Sequence, residues 1–225
     1  ATLMMTADAM MVGWLGATEL GAVGYAGIWY WTVIALFNGT ATGVQTFAAQ
    51  AHGAGEGRAA GAWLWQGWHT VVPAATLAIG LFAWQFPRLL ELLGPAPTLR
   101  PLAADYVQWR AIGAAGMMTG MVIAAFLRGV GDTRTPLWAM VAANAVNLVL
   151  NYGLIFGHFG LPRLGVAGAA LATALAEWVY ATWLLRAVWR PAPRREFRTA
   201  FAGPDGAAMR RFLRTSAPIG GQWFL

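Results

Sequence analysis

The chain has 225 residues, of which 58% are hydrophobic and only 11% charged, with no cysteine and a formal net charge of +6. Soluble domains carry about 25% charged residues, so this composition excludes a water-exposed globular protein and points to one built within a bilayer. The lack of cysteine excludes a disulfide framework, a thiolate metal site and a cysteine nucleophile.

A membrane-spanning helix needs about 20 mostly apolar residues, and glycines, prolines and charged clusters cut the sequence into a succession of such runs. Residues 1–15, apolar apart from Thr2, Thr6 and Asp8, read as the second half of a helix and lack the basic start of a signal peptide. Residues 17–51 predict a long second helix with a bend near Gly39 and Gly43. A glycine-rich turn at 53–57 leads into a third helix over 58–86, with a kink expected at Pro73. A loop holding Pro87, Gly94, Pro95 and Pro97 then precedes a fourth helix over 102–127. The polar connector 128–134 leads to a fifth, 136–156, which opens on a proline where a missing N–H costs nothing. The sixth runs over 165–188, a polar linker follows, and 209–225 begins a further apolar helix. The expected fold is all-α and integral to the membrane. A six-helix bundle with an incomplete first helix occupies 1–189, a cytoplasmic linker 190–208, and the start of the seventh helix of a second bundle 209–225.

All 15 basic residues are arginine. Eleven of them, Arg58, Arg128, Arg134, Arg186, Arg190, Arg194, Arg195, Arg198, Arg210, Arg211 and Arg214, fall on one side when loops are taken alternately, and four, Arg88, Arg100, Arg110 and Arg163, on the other. Arginine-rich loops stay inside, so the turn at Gly53, the connector at Gly129 and the linker are expected in the cytoplasm of an inner membrane, with the first helix entering from that side. No basic stripe with interleaved aromatics is present, so nucleic acid is not expected as a partner. A polar linker followed by a fresh helix suggests one bundle of a two-bundle transporter.

Asp8 is the most informative residue. An ionisable group among Met4, Met5, Met10 and Met11 is costly against lipid and is expected to face a cavity, where it either takes up a proton or is held ionised by a bound cation. Asn144, Asn147 and Asn151 follow one another at spacings of three and four and share one helix face. Their amides suit a cation-ligating stripe or interhelical bonding equally. Thr173 and Glu177, four apart, share a face of the sixth helix, with Glu177 open to a relay role or a contact with another helix. Asn38, Thr40, Thr42, Gln45 and Gln50 make the second helix polar enough to line water or to bond neighbouring helices. His52 and His69 are read as interfacial. Trp29, Trp31, Trp63, Trp65, Trp68, Trp84 and Trp109 are read chiefly as a membrane-interface belt, and any that face the cavity would stack on an organic cation.

Motifs for a G-x-S-x-G nucleophile, an H-E-x-x-H zinc site and a P-loop lysine are absent, so an enzyme is not expected and transport would draw on an ion gradient.

The segments Phe126-Leu-Arg-Gly-Val-Gly-Asp-Thr-Arg-Thr-Pro136, Asn147-Leu-Val-Leu-Asn-Tyr-Gly-Leu-Ile-Phe-Gly157 and Gly165-Val-Ala-Gly-Ala-Ala-Leu-Ala-Thr173 resemble the multidrug and toxic compound extrusion (MATE) transporters, nearest their DinF-like branch. Asp8-Ala-Met-Met-Val-Gly-Trp-Leu-Gly16, Gln50-Ala-His-Gly-Ala-Gly55 and Ala217-Pro-Ile-Gly220 fit the same pattern in the same order. The resemblance implies two six-helix bundles that alternate between inward-open and outward-open states and export small organic cations or drugs against protons or sodium, among membrane lipids, with no other cofactor. It also implies that Asp8 couples the cation and that Asn147, Asn151 and Thr173 belong to the same site, with sodium as its metal ion where sodium is used. Asn151 stands where some members carry aspartate, which removes a charge and inclines the reading to proton coupling. A flippase for lipid-linked or polysaccharide precursors is the alternative within the same superfamily. A membrane scaffold, with Asp8 and the asparagines only bonding helices, is the alternative outside transport. The absence of an arginine at mid-membrane depth speaks here against the flippase.

Overall fold

The computed structural model describes residues 2–221, with side chains from Met4 to Pro218. The regular elements of the described chain are all helices: α1 (Thr2–Gly13), α2 (Ala17–Gly53), α3 (Gly57–Leu93), α4 (Leu99–Ala111), α5 (Ala114–Gly129), α6 (Arg134–Phe156), α7 (Val166–Val188), α8 (Pro191–Glu196) and α9 (Gly206–Gly221). Four of these, α2, α3, α6 and α7, are long and apolar enough to cross a membrane, and α4 with α5, bent by 52° at their junction, together meet the same length and composition as one broken element. At 37 residues each, α2 and α3 are about 55 Å long at 1.5 Å per residue, well beyond a hydrocarbon core of about 30 Å.

The core joins α2, α3, α4, α5 and α7 around Tyr30, Ile34, Leu64, Trp65, Phe86, Met118, Ile123, Phe126 and Leu184. Large side chains such as Ile28, Leu77, Leu148 and Trp138 face outward, as expected where the surrounding solvent is lipid. Close backbone approach comes from small residues. A Cβ on Gly168 of α7 would run into the carbonyl oxygen of Leu154 on α6, so glycine there sets the α6–α7 spacing.

The structure departs from the sequence reading in three places. Pro87 lies inside α3 rather than in a loop, because Phe86 and Leu90 continue the buried face across it, and the helix stops only at Gly94 in the left-handed conformation (φ 66°). Pro73 also lies within this continuous helix.

The fourth spanning element is broken at Ile112 and Gly113 into α4 and α5, although no proline marks the spot. A side chain at Gly113 would meet Ala174 of α7, with the built Cβ 2.8 Å from its Cα. Carbonyls freed at such a break must find donors inside a bilayer. Tyr30 Oη donates to the Arg110 carbonyl at 3.2 Å and Trp178 Nε1 to the Ile112 carbonyl at 3.0 Å. This break also corrects the placing of Arg110, which lies inside the bundle rather than in an outer loop.

The linker, finally, is ordered against α3. Gln66 Nε2 donates to the Gly203 carbonyl at 3.0 Å and the Asp205 amide donates to Gln66 Oε1 at 2.8 Å. His69 Nε2 is 2.9 Å from the Ala202 carbonyl, and Phe201 packs edge-on against Trp65, Trp68 and His69. The expected seventh-helix start corresponds to α9, whose Phe212 and Ser216 are buried. Residues 222–225 of that expectation lie outside the described residues.

Candidate cation site and cavity

Three helices supply one polar cluster. Asp8 of α1 is 6% exposed and receives two donors, Thr173 Oγ1 of α7 to Oδ2 at 2.8 Å and Asn151 Nδ2 of α6 to Oδ1. The amide of Asn151 also donates to Asn147 Oδ1 at 3.1 Å, and Asn147 Nδ2 donates to Thr173 Oγ1 at 3.2 Å. The circuit is closed, and all four side chains are buried.

The helical period explains the convergence. Asn147 and Asn151 stand one turn apart on α6, while the Gly168 approach holds α7 near enough for Thr173 to meet both α6 and α1. Val12 anchors α1 against Ile155, Val166 and Ala169, and Met4 against Ala143 and Ala176, so Asp8 is presented between two small apolar contacts.

Thr173 has a single hydroxyl hydrogen and two acceptors, Asp8 Oδ2 and the Ala169 carbonyl of its own helix at 2.9 Å. An ionised Asp8 recruits that hydrogen. A protonated Asp8 donates to Thr173 instead and turns the hydroxyl back onto Ala169. Buried Asn151 Oδ1 has no hydrogen-bond partner. Together with the Asp8 carboxylate, Asn147 Oδ1 and Thr173 Oγ1 it gives one anionic and three neutral oxygens, a donor set that suits a hard monovalent cation.

Asp8 and Thr173 open onto a cavity of about 160 Å³ lined by methionines (Met4, Met5, Met117, Met121, Met140), aromatics (Tyr30, Trp31, Tyr106, Tyr180) and an ion pair. Arg110 Nη1 donates to Glu177 Oε2 at 2.8 Å, with side chains 10% and 14% exposed. The guanidinium carbon lies 4.9 Å from the Tyr30 ring centroid. Soft methionines and aromatic faces adapt to varied apolar shapes and attract cations.

Of the predicted residues, Asp8, Asn147, Asn151 and Thr173 come together, and Glu177 lines the cavity, where its partner is a residue of another helix. Asn38, Gln45 and Asn144 do not line it. Gln45 accepts from Arg128 Nε at 3.3 Å, and Asn144 Nδ2 turns onto the Met140 carbonyl of its own helix at 2.7 Å. Trp31 is the belt candidate that faces the cavity, whereas Trp65 is buried in the core and Trp84 is 65% exposed. The sequence reading missed Arg110. Its signal was an arginine within the otherwise spanning-length run 99–129, the same kind of intramembrane charge that singled out Asp8.

The MatE family model matches residues 1–153. The chain belongs to the MATE family. It is 33% identical to the multidrug resistance protein NorM of Burkholderia vietnamiensis over 81% of this chain and 40% of that protein. It is 34% identical to a probable multidrug resistance protein NorM of Pseudomonas aeruginosa over 98% of this chain and 45% of that protein. An outward-facing multidrug resistance MATE family transporter of the MOP superfamily superposes with a TM-score of 0.86 at 25% identity, covering 99% of this chain and 49% of the other. An inward-facing structure of such a transporter gives 0.82 at 25% identity, over 99% and 50%. The chain thus spans about half the length of the relatives it matches. It is an all-helical, multi-pass membrane protein with the architecture of the N-terminal bundle of MATE transporters.

Proposed function

We propose that this bundle is the cation-coupled half of a secondary multidrug efflux transporter, which exports small organic cations or drugs by alternating access in exchange for protons or sodium. One observation carries the reading. A buried carboxylate, held by donors from two other helices, sits at the wall of a methionine- and aromatic-lined cavity. Asp8 ties α1 to α6 and α7 when ionised, and its protonation reverses the Thr173 hydrogen bond, which lets α1 bend or repack and shrink the cavity. The single carboxylate favours the proton as coupling ion. The four-oxygen set admits sodium as the competitor, with no other cofactor. Likeness to both inward- and outward-facing structures supports a bundle that moves as one body. Arginine placement supports an inner-membrane protein with its N-terminus and the 190–208 linker in the cytoplasm, and a second bundle of the same polypeptide completes the cavity.

The flippase reading calls for a basic cavity to hold pyrophosphate. Arg110 does reach the cavity, which corrects the argument that no arginine is available, but Glu177 neutralises it.

The test uses the full-length protein in proteoliposomes, with ethidium efflux measured under imposed proton and sodium gradients for wild type and Asp8→Asn. Efflux driven by one gradient and lost in the variant is expected. Unchanged efflux and ion dependence in Asp8→Asn would overturn the coupling role. Well-folded protein with no efflux under either gradient would favour a flippase or a scaffold.

A further inference from the structure

Three charged side chains line the cavity: Asp8 of α1, Arg110 of α4 and Glu177 of α7. The other titratable groups on its wall are the phenols of Tyr30, Tyr106 and Tyr180 from α2, α4 and α7, which are neutral when protonated. Among the described residues the lining therefore carries two carboxylates and one guanidinium.

Arg110 is not free to exchange partners. Its carbonyl is held by Tyr30 Oη at the helix break, its guanidinium lies over the Tyr30 ring, and Nη1 is bonded to Glu177 at 2.8 Å. Asp8 has neutral donors instead, Asn151 and Thr173. One carboxylate thus has a bonded counter-charge, and the other has only neutral groups in hydrogen-bond contact. In an apolar cavity an unmatched unit charge is costly, so a cargo is accepted to the extent that it cancels what the wall leaves over.

We propose that Arg110 is the resident cation of this bundle's cavity wall: by neutralising Glu177 it leaves Asp8 as the single unmatched charge among the described lining residues and so selects cargo carrying one positive charge. The proposal rests on the efflux reading and narrows its substrate class to monovalent organic cations. It also gives exchange a simple basis. One proton, one sodium ion or one monocation satisfies the wall, and any of them leaves nothing for a second. A dication would leave the cavity positive.

Ethidium and propidium share a phenanthridinium ring and carry one and two positive charges, so the pair reports charge preference. Binding of both dyes to the purified full-length protein, followed by fluorescence, is compared in wild type, Arg110→Gln, Glu177→Gln and the double variant. Because propidium is also larger, the informative quantity is the change in the ethidium-to-propidium affinity ratio between variants. Arg110→Gln exposes a second unmatched carboxylate and is expected to shift the ratio at least tenfold toward propidium. Glu177→Gln leaves Arg110 opposing Asp8 and is expected to weaken ethidium at least tenfold. The double variant restores one unmatched charge and is expected to return the ratio to within threefold of wild type, which a pair serving only to hold helices together would not do. A ratio that stays within twofold of wild type in Arg110→Gln, or a double variant that fails to return it, overturns the proposal. Export of ethidium without the charge preference would sink this inference and leave the transport reading standing. Charge-selective binding without export would do the reverse, and binding of neither dye would overturn both.

Discussion

Thr173 and Glu177 stand one helical turn apart on α7, so the hydroxyl that donates to Asp8 and the carboxylate that holds Arg110 share one face of one helix. The hydroxyl that receives the exchangeable charge and the carboxylate of the fixed ion pair therefore keep a constant spacing whatever α1 does.

Removing the Thr173 hydroxyl leaves Asp8 with one donor and Asn147 without its acceptor. A hydrogen bond to a charged group is worth about 1.5–3 kcal/mol, so Thr173→Val is expected to change coupling-ion affinity by about tenfold or more, upward for a proton, which no longer competes with a donor to the ionised carboxylate, and downward for sodium, which loses an oxygen ligand. Thr173→Ser is expected to retain the wild-type affinity. Ion titration of dye efflux at fixed dye concentration checks both, and equal behaviour of the two variants would remove Thr173 from the site.

Asn151→Asp adds a second carboxylate beside Asp8 in nearly the same volume. It is expected to raise sodium affinity at least tenfold and to make ethidium efflux respond to a sodium gradient at constant pH. Sodium-22 binding to the purified variant measures this directly. No gain in sodium binding would mean that the three neutral oxygens do not gather around a cation.

Asn147, Asn151, Thr173 and Asp8 were legible because intramembrane polarity is rare and the α6 pair repeats at the helical period, which makes a shared face readable without coordinates. Asn144 has the same period, but its amide bonds a carbonyl of its own helix, and sequence carries no sign of that choice. The break at Gly113 was hidden because it is stabilised from outside the segment, by Tyr30 and Trp178, whereas a proline kink is written locally. With the break went Arg110. The docking of the linker was equally hidden, since Gln66 and His69 meet backbone carbonyls that any residue would supply.

Gly168→Val tests whether α6–α7 spacing positions the site. The added side chain meets the Leu154 carbonyl and is expected to cost about 1–3 kcal/mol through overpacking. Transport is expected to fall more than thermal stability does, because separating α6 from α7 stretches the Asn147–Thr173 bond. A melting curve and an efflux assay on the same preparation separate the two effects, and full transport with a lowered melting temperature would detach the glycine from function.

Gln66→Leu removes two bonds that hold the linker, leaving the Gly203 carbonyl and Asp205 amide without this partner. At about 1 kcal/mol each, their loss is expected to raise tryptic cleavage at the exposed arginines Arg194, Arg195 and Arg198 by about thirtyfold. Time-resolved proteolysis in detergent reads this out. Unchanged cleavage would assign the linker's order to Phe201 and its aromatic neighbours.

The linker's course has a consequence for how a longer chain would be divided. A Cβ on Gly61 would collide with the Phe197 carbonyl, and one on Gly57 would stand 2.7 Å from that of Glu196, so the linker backbone lies directly on α3. Immediately beyond it, α9 seats Ser216 against Gly43 of α2 and brings Phe212 close to Gly67 of α3. The polar stretch that looks like a boundary in the sequence therefore has little slack, and the described part of α9 packs on α2 and α3. Two fragments meant to be co-expressed and reassembled should not be divided within the linker, because a cut there would take Phe212 and Ser216 away from the helices that bury them.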